Sequence, residues 1–119
     1  MKTNEILACA AQALESKKAL QLRALNIEQL SIVADCFLLC SATSSTHVRA
    51  LAEEVEYQLE EKGVSPHHIE GRGTSWVLLD YGSVIVHIFT REAREFYGLD
   101  KTWADAEPIE LHSEKEGLQ

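Results

Sequence analysis

No stretch of this 119-residue sequence approaches the ~20 consecutive apolar residues of a membrane-spanning helix. The opening residues are too interrupted by polar groups to be read as a signal segment, so the cytoplasm is the expected location. Cysteine is sparse. Cys9, Cys36 and Cys40 are odd in number, show no CxxC spacing and stand in apolar company, which suits a reducing compartment better than a disulfide scaffold. Glycine is absent from Ser41-Ala42-Thr43-Ser44-Ser45, and no Lys follows in P-loop spacing, so the hydroxyls there are not backed by a phosphate-binding loop. No Asp-x-Asp or Glu-x-Glu follows that segment before Glu54 and Glu56, and two residues spaced i,i+2 on a helix do not face each other. A metal-dependent nucleotide enzyme lacks its expected carboxylates.

Basic charge is also in short supply. Eleven Lys and Arg stand against 19 Asp and Glu, a net −8. That sign opposes phosphate backbones and anionic lipid surfaces, so neither nucleic acid nor membrane is an expected partner of the chain itself. Residues 1–34 carry four basic and three acidic groups, residues 35–90 three and eight, and residues 91–119 four and eight, which places the acidic surface in the last two blocks. An acidic balance by itself does no more than keep a small protein soluble.

What is present is one domain's worth of core. An apolar fraction of 45% over this length suffices for a single core without disulfides or a metal, and no internal repeat interrupts it. Thr3 is the expected cap of a helix with Ile6, Leu7, Ala10, Ala13 and Leu14 on one stripe. Residues 19–25 alternate imperfectly as a strand. Residues 35–42, Asp-Cys-Phe-Leu-Leu-Cys-Ser-Ala, form a continuous apolar run expected to be a central strand covered on both faces. Thr43, Ser44 and Ser45 then offer caps to a helix with Val48, Leu51, Val55 and Leu59 inward, ending at Gly63, and with Glu53, Glu54, Glu56, Glu60 and Glu61 on a solvated face. Residues 67–70 read as a short strand, and residues 76–81 and 84–90 as an antiparallel hairpin closed by Gly82-Ser83. Thr90 caps a last helix in which Phe96 and Tyr97 are packing groups, Gly98 ends it, and Leu99 and Trp103 fold back. The expected fold is α/β (α+β), a mixed sheet flanked by helices in the order αββαβββα. Residues 1–107 form the domain and residues 108–119 a polar tail.

Few residues group as catalytic sets do. Cys36 and Cys40 lie roughly 13 Å apart along a strand at about 3.3 Å per residue, too far to share a metal or a disulfide. Alternation sends His68 and Glu70 to one face and His67 to the other, with no third ligand nearby. His87, between Ile85 and Phe89, suits a hydrogen-bonded structural imidazole. The hairpin offers a different chemistry: Trp76 and Asp80 share a strand face and Tyr81 adjoins the turn, and rings rimmed by carboxylates suit a surface rich in Arg or Lys. Period alone leaves Trp76 and Tyr81 open between core and contact.

Several blocks together carry a resemblance: Asp35-Cys36-Phe37, Ser41-Ala42-Thr43-Ser44, Glu70-Gly71, the run Trp76 to His87, and Arg94-Glu95-Phe96-Tyr97 through Trp103. With their spacing, over about residues 3–105, the sequence resembles the ribosomal silencing factors, the Iojap-related family. The resemblance implies a sheet distantly similar to nucleotidyltransferases but without their metal-binding carboxylates, no cofactor and no catalysis. It also implies binding to large-subunit ribosomal protein fourteen at the intersubunit face, so that the small subunit cannot join and translation is damped when nutrients are short. Alternatives are a large-subunit assembly factor using the same contact and a nucleotide-handling enzyme; a homodimer is conceivable for the free chain. Carried over residue by residue, the implied interface is Trp76, Asp80, Tyr81 and His87 of the hairpin, Asp35 and Phe37 of the central strand, and Glu92, Tyr97 and Asp105. The sequence departs from the family pattern at Ala42 (usually Gly), Ser83 (usually Asp) and Asn26 (usually Asp).

Overall fold

The computed structural model describes residues 1–111. The chain runs α1 (Thr3–Ser16), β1 (Leu20–Asn26), β2 (Cys36–Ala42), α2 (Ser45–Glu61), β3 (His68–Glu70), β4 (Trp76–Asp80), β5 (Val84–Thr90), α3 (Arg91–Tyr97), α4 (Leu99–Thr102) and β6 (Glu107–Ile109). The expected αββαβββα order holds, with α4 and β6 added. The six strands form one sheet in the order β3-β4-β5-β2-β1-β6. Only the β2 and β5 pair is parallel, with Leu38 opposite Val86 and Cys40 opposite Ile88; the other four pairs are antiparallel.

β2 is central because all seven of its residues are buried, so it needs neighbours on both edges and cover on both faces. The connection through α2 does not return beside β2. It carries the chain to β3 at the edge of the sheet, and the β4-β5 hairpin then fills the gap. Each end of α2 is locally determined: the Ser44 hydroxyl accepts the His47 amide N–H at 3.1 Å, and Val64 N–H reaches back to the Leu59 carbonyl at 2.9 Å. Gly98, at φ 62°, stops α3 in the left-handed conformation that favours glycine.

Strand periodicity divides the core in two. Leu38, Cys40, Leu79, Val86 and Ile88 face α1 and α2, whose Leu7, Leu14, Leu51, Val55 and Leu59 complete one cluster. Leu25, Phe37, Leu39, Ile85 and Phe89 form the other, closed by Ala93, Ala106 and the half-buried Trp76, Leu78, Leu99 and Trp103. The first face lies under helices of 14 and 17 residues, the second under helices of only 7 and 4. Shorter cover leaves rings at the surface on that side.

Three local expectations change. Lys2, not Thr3, caps α1: its amide N–H donates to Glu5 Oε1 at 2.8 Å while its carbonyl accepts from Glu5 and Ile6, which places Thr3 inside the first turn. The first strand begins one residue later and ends at Asn26, and its register shifts between Leu20 and Arg23. Pro108 lies in a strand, since β6 pairs with β1 at the sheet edge, where a residue without an N–H is tolerated. The boundary expected at 107/108 therefore cuts β6, and Leu111 packs on the first cluster; the rest of the expected tail, residues 112–119, lies outside the described residues.

Candidate protein-docking surface

Period two decides what the hairpin presents. Trp76, Leu78 and Asp80 point to the thinly covered face and are half-buried, while Val77 and Leu79 point under α1 and α2. Tyr81 follows the second set. It is 4% exposed within the first cluster, so the expected contact at Tyr81 is replaced by a core role. Burial raises its phenol well above the ordinary value, and its hydroxyl has no hydrogen-bond partner among the described residues. Gly71, at φ 84°, turns the chain into β4; a Cβ there would overlap the Trp76 carbonyl oxygen, so this turn delivers Trp76 only with glycine.

Around Trp76 the rings form a connected band. Its indole lies 5.0 Å from Phe89 and 4.6 Å from Tyr97; His87 lies 4.6 Å from Phe37, and Phe37 is 5.0 Å from Trp103. Trp76 Nε1–H donates to His87 Nδ1 at 3.2 Å, which assigns the His87 proton to Nε2. Burial lowers the His87 pKa to about 4, so the imidazole is neutral at pH 7. At 3% and 7% exposed, His87 and Phe37 lie beneath the surface and support the exposed rings from below. That burial leaves almost none of either side chain free for the direct contact expected of them.

The exposed part of the band belongs to α3 and its flanks. Tyr97 is 48% exposed and half-buried Trp103 lies over Phe37; Phe96, expected as a packing group, is 81% exposed and 5.1 Å from the Tyr97 ring. Packing cannot reach Phe96 because the seven-residue α3 buries only Ala93. Carboxylates flank the ring-bearing segments. Glu92 and Phe96 are i,i+4 on α3, Asp105 is exposed beyond Trp103, and Asp35 is half-buried where β2 begins beside the Ser83 turn. Asp80 also has a structural task, since its Oδ1 accepts the Gly82 N–H at 2.7 Å and shapes the turn.

Two surface features carry no local signal in the sequence: the partly exposed Trp103 ring and the β1-β2 loop, where Leu30, Ile32 and Val33 are exposed. Their apolar type was visible, but nothing local said they would lack cover. At the positions of departure, Asn26 Oδ1 accepts the Glu28 N–H at 3.0 Å, as an Asp would, and Ala42 is fully buried, with nothing in the structure that explains Ala there in place of Gly. At Ser83 the carbonyl accepts from both Asp35 and Cys36 N–H, so its backbone holds the turn whatever the side chain.

Two other constellations turn inward. The Ser44 hydroxyl caps α2 and Ser41 bonds Gln21 Oε1 and Arg94, so these hydroxyls are already engaged within the fold. The His68 and Glu70 side chains pair at 3.6 Å on an exposed edge, and among the described residues no three His, Cys, Asp or Glu side chains come together as a metal site. Cys9, Cys36 and Cys40 are all buried in the first cluster, and burial pushes the Cys40 thiol up to about 12. No helix among the described residues is long and apolar enough to cross a membrane.

The class defined by this arrangement is a mixed-sheet α/β domain with one thickly and one thinly covered face. Solved structures share it: a Chromobacterium violaceum protein superposes with a TM-score of 0.84 at 32% identity, covering 87% of this chain and 88% of that one. A Bacillus halodurans protein gives 0.81 at 37%, covering 92% and 100%. The chain belongs to the ribosomal silencing factor family: the family model described as "Ribosomal silencing factor during starvation" matches residues 1–119. Ribosomal silencing factors of Halalkalibacterium halodurans and Bacillus subtilis are each 40% identical over 112 residues, covering 93% of this chain and 96% and 95% of theirs. The chloroplastic Iojap protein of Zea mays is 32% identical over 101 residues, 85% of this chain and 44% of that protein. Ribosome silencing, a form of translation regulation, is the general role that membership brings.

Proposed function

We propose that the chain acts by occupancy and not by catalysis: it docks on the large ribosomal subunit through basic large-subunit ribosomal protein fourteen, keeps the small subunit from joining, and so represses translation. The observation that carries this reading is the ring band on the thinly covered face, with Tyr97 and Phe96 exposed and Glu92, Asp105 and Asp35 on the segments that bear it. Aromatic anchors concentrate binding energy at interface centres, and surrounding carboxylates favour a cationic partner while a net −8 disfavours bare RNA over most of the surface. The steric reading needs no reactive group. Sedimentation of purified subunits with excess protein tests it: subunits should remain apart, with the protein migrating with the large one. Unchanged joining, with no protein on the large subunit, refutes it.

A further inference from the structure

The rings occupy one side of α3; on its other side, between β1 and the α3-α4 segment, lies a cleft of about 870 Å³. Its walls carry Arg23, Arg91, Arg94 and Lys101 against only Glu95 and Asp100, a local excess of positive charge in a chain of net −8. The floor is rigid. Arg94, its side chain 10% exposed, donates to both Asp100 oxygens at 3.0 Å, to the Gln21 carbonyl at 2.7 Å and to the Ser41 hydroxyl at 3.1 Å, while Arg23 reaches Asp100 Oδ1 at 3.1 Å. Gln21 reaches that position only through a left-handed backbone, φ 49°, at the register shift of β1. Strain of this kind persists where surrounding bonds over-determine it.

One carboxylate thus serves two guanidiniums, and the exposed Arg91 and Lys101 have no ion-pair partner among the described residues. We propose that this cleft holds the phosphodiester backbone of RNA, a second contact beside the ring surface; the identity of that RNA as ribosomal rests on the reading above. Guanidinium and ammonium groups spread along an open cleft fit a row of phosphates better than one small anion. The acidic remainder of the surface would repel RNA, so the cleft fixes orientation on an RNA-rich particle more than it adds bulk affinity. An acidic protein segment is the competing occupant.

The test compares Arg91→Glu with Lys101→Glu against an equal charge change on the opposite layer, Lys2→Glu with Lys62→Glu. A labelled short RNA duplex is titrated at low and raised salt. The unaltered chain should bind; the cleft variant should lose about tenfold or more, with a salt slope shallower by about 1.5 to 2, while the control keeps most of its affinity and slope. Absent duplex binding, or equal losses in both variants, overturns the proposal. The same chains, each carrying a photo-crosslinker in place of Glu95, are sedimented with large subunits. RNA crosslinks support the cleft, and protein-only crosslinks overturn it. Duplex binding without attachment to subunits would leave the cleft standing and remove the silencing reading; attachment unaffected by the cleft variant, without duplex binding, would do the reverse.

Discussion

Trp76 and His87, eleven residues apart on adjacent strands, are joined by an indole N–H donated to Nδ1 at 3.2 Å, and that bond ties the half-exposed ring to a buried neutral imidazole. Its cost appears in acid. His87 falls from the ordinary 6.5 to about 4, so the unfolded chain takes up this proton first as pH drops. The contribution is fully present above about pH 6.5 and is lost progressively down to about pH 4, on the order of 3 kcal/mol in total. Urea unfolding across that range should show the decline, and His87→Phe should flatten it; equal slopes in both chains would contradict the assignment.

Phe96 is 81% exposed, so Phe96→Ala should change folding stability by no more than about 0.5 kcal/mol. Binding to large subunits should nevertheless weaken by about 2 kcal/mol, roughly thirtyfold, as for an anchoring ring. Co-sedimentation at graded protein concentration measures the loss. Full affinity in this variant would exclude the Phe96 ring from the contact.

Tyr81→Phe removes a buried hydroxyl that has no partner among the described residues. Thermal unfolding should show equal or slightly higher stability, by up to about 1 kcal/mol, since desolvating that oxygen brings no hydrogen bond in return. Subunit binding should be unchanged, because the ring faces α1 and α2. A selective loss of binding would return Tyr81 to the interface.

Asp100 is held below its ordinary 3.8, first by hydrogen bonds from Arg94 and further by Arg23. Its contribution is therefore present above about pH 4 and is lost as pH falls through the depressed value. Asp100→Asn leaves Arg94 buried without its counter-charge and should cost about 2 kcal/mol at neutral pH, less than a fully buried pair because Asp100 is 31% exposed. Chemical denaturation at pH 7 and pH 3 should show the difference shrinking in acid.

Residue type along the chain was sufficient to find the elements: the apolar run of β2 and the β-branched β5 are visible as strings of residues, and the Ser44 cap of α2 and the Gly98 stop of α3 rest on contacts within a few residues. β6 escaped because Pro108 reads as a loop until β1, from the opposite end of the domain, offers it a partner at Leu25. The candidate site was half legible. Residue type and period two put Trp76 and Asp80 on one face, and the same alternation, followed to its end, sends Tyr81 to the other.

Tertiary structure decided which of those faces is left bare. That depends on helices contributed from separate parts of the chain, two long ones landing on one side and two short ones on the other. It also decided the basic cleft, where Arg23 meets Asp100 across 77 residues of sequence. Net charge is a sum over the chain and hydropathy a pattern along it. Neither carries the distances between remote side chains, and those distances determine where charge concentrates and which rings stay uncovered.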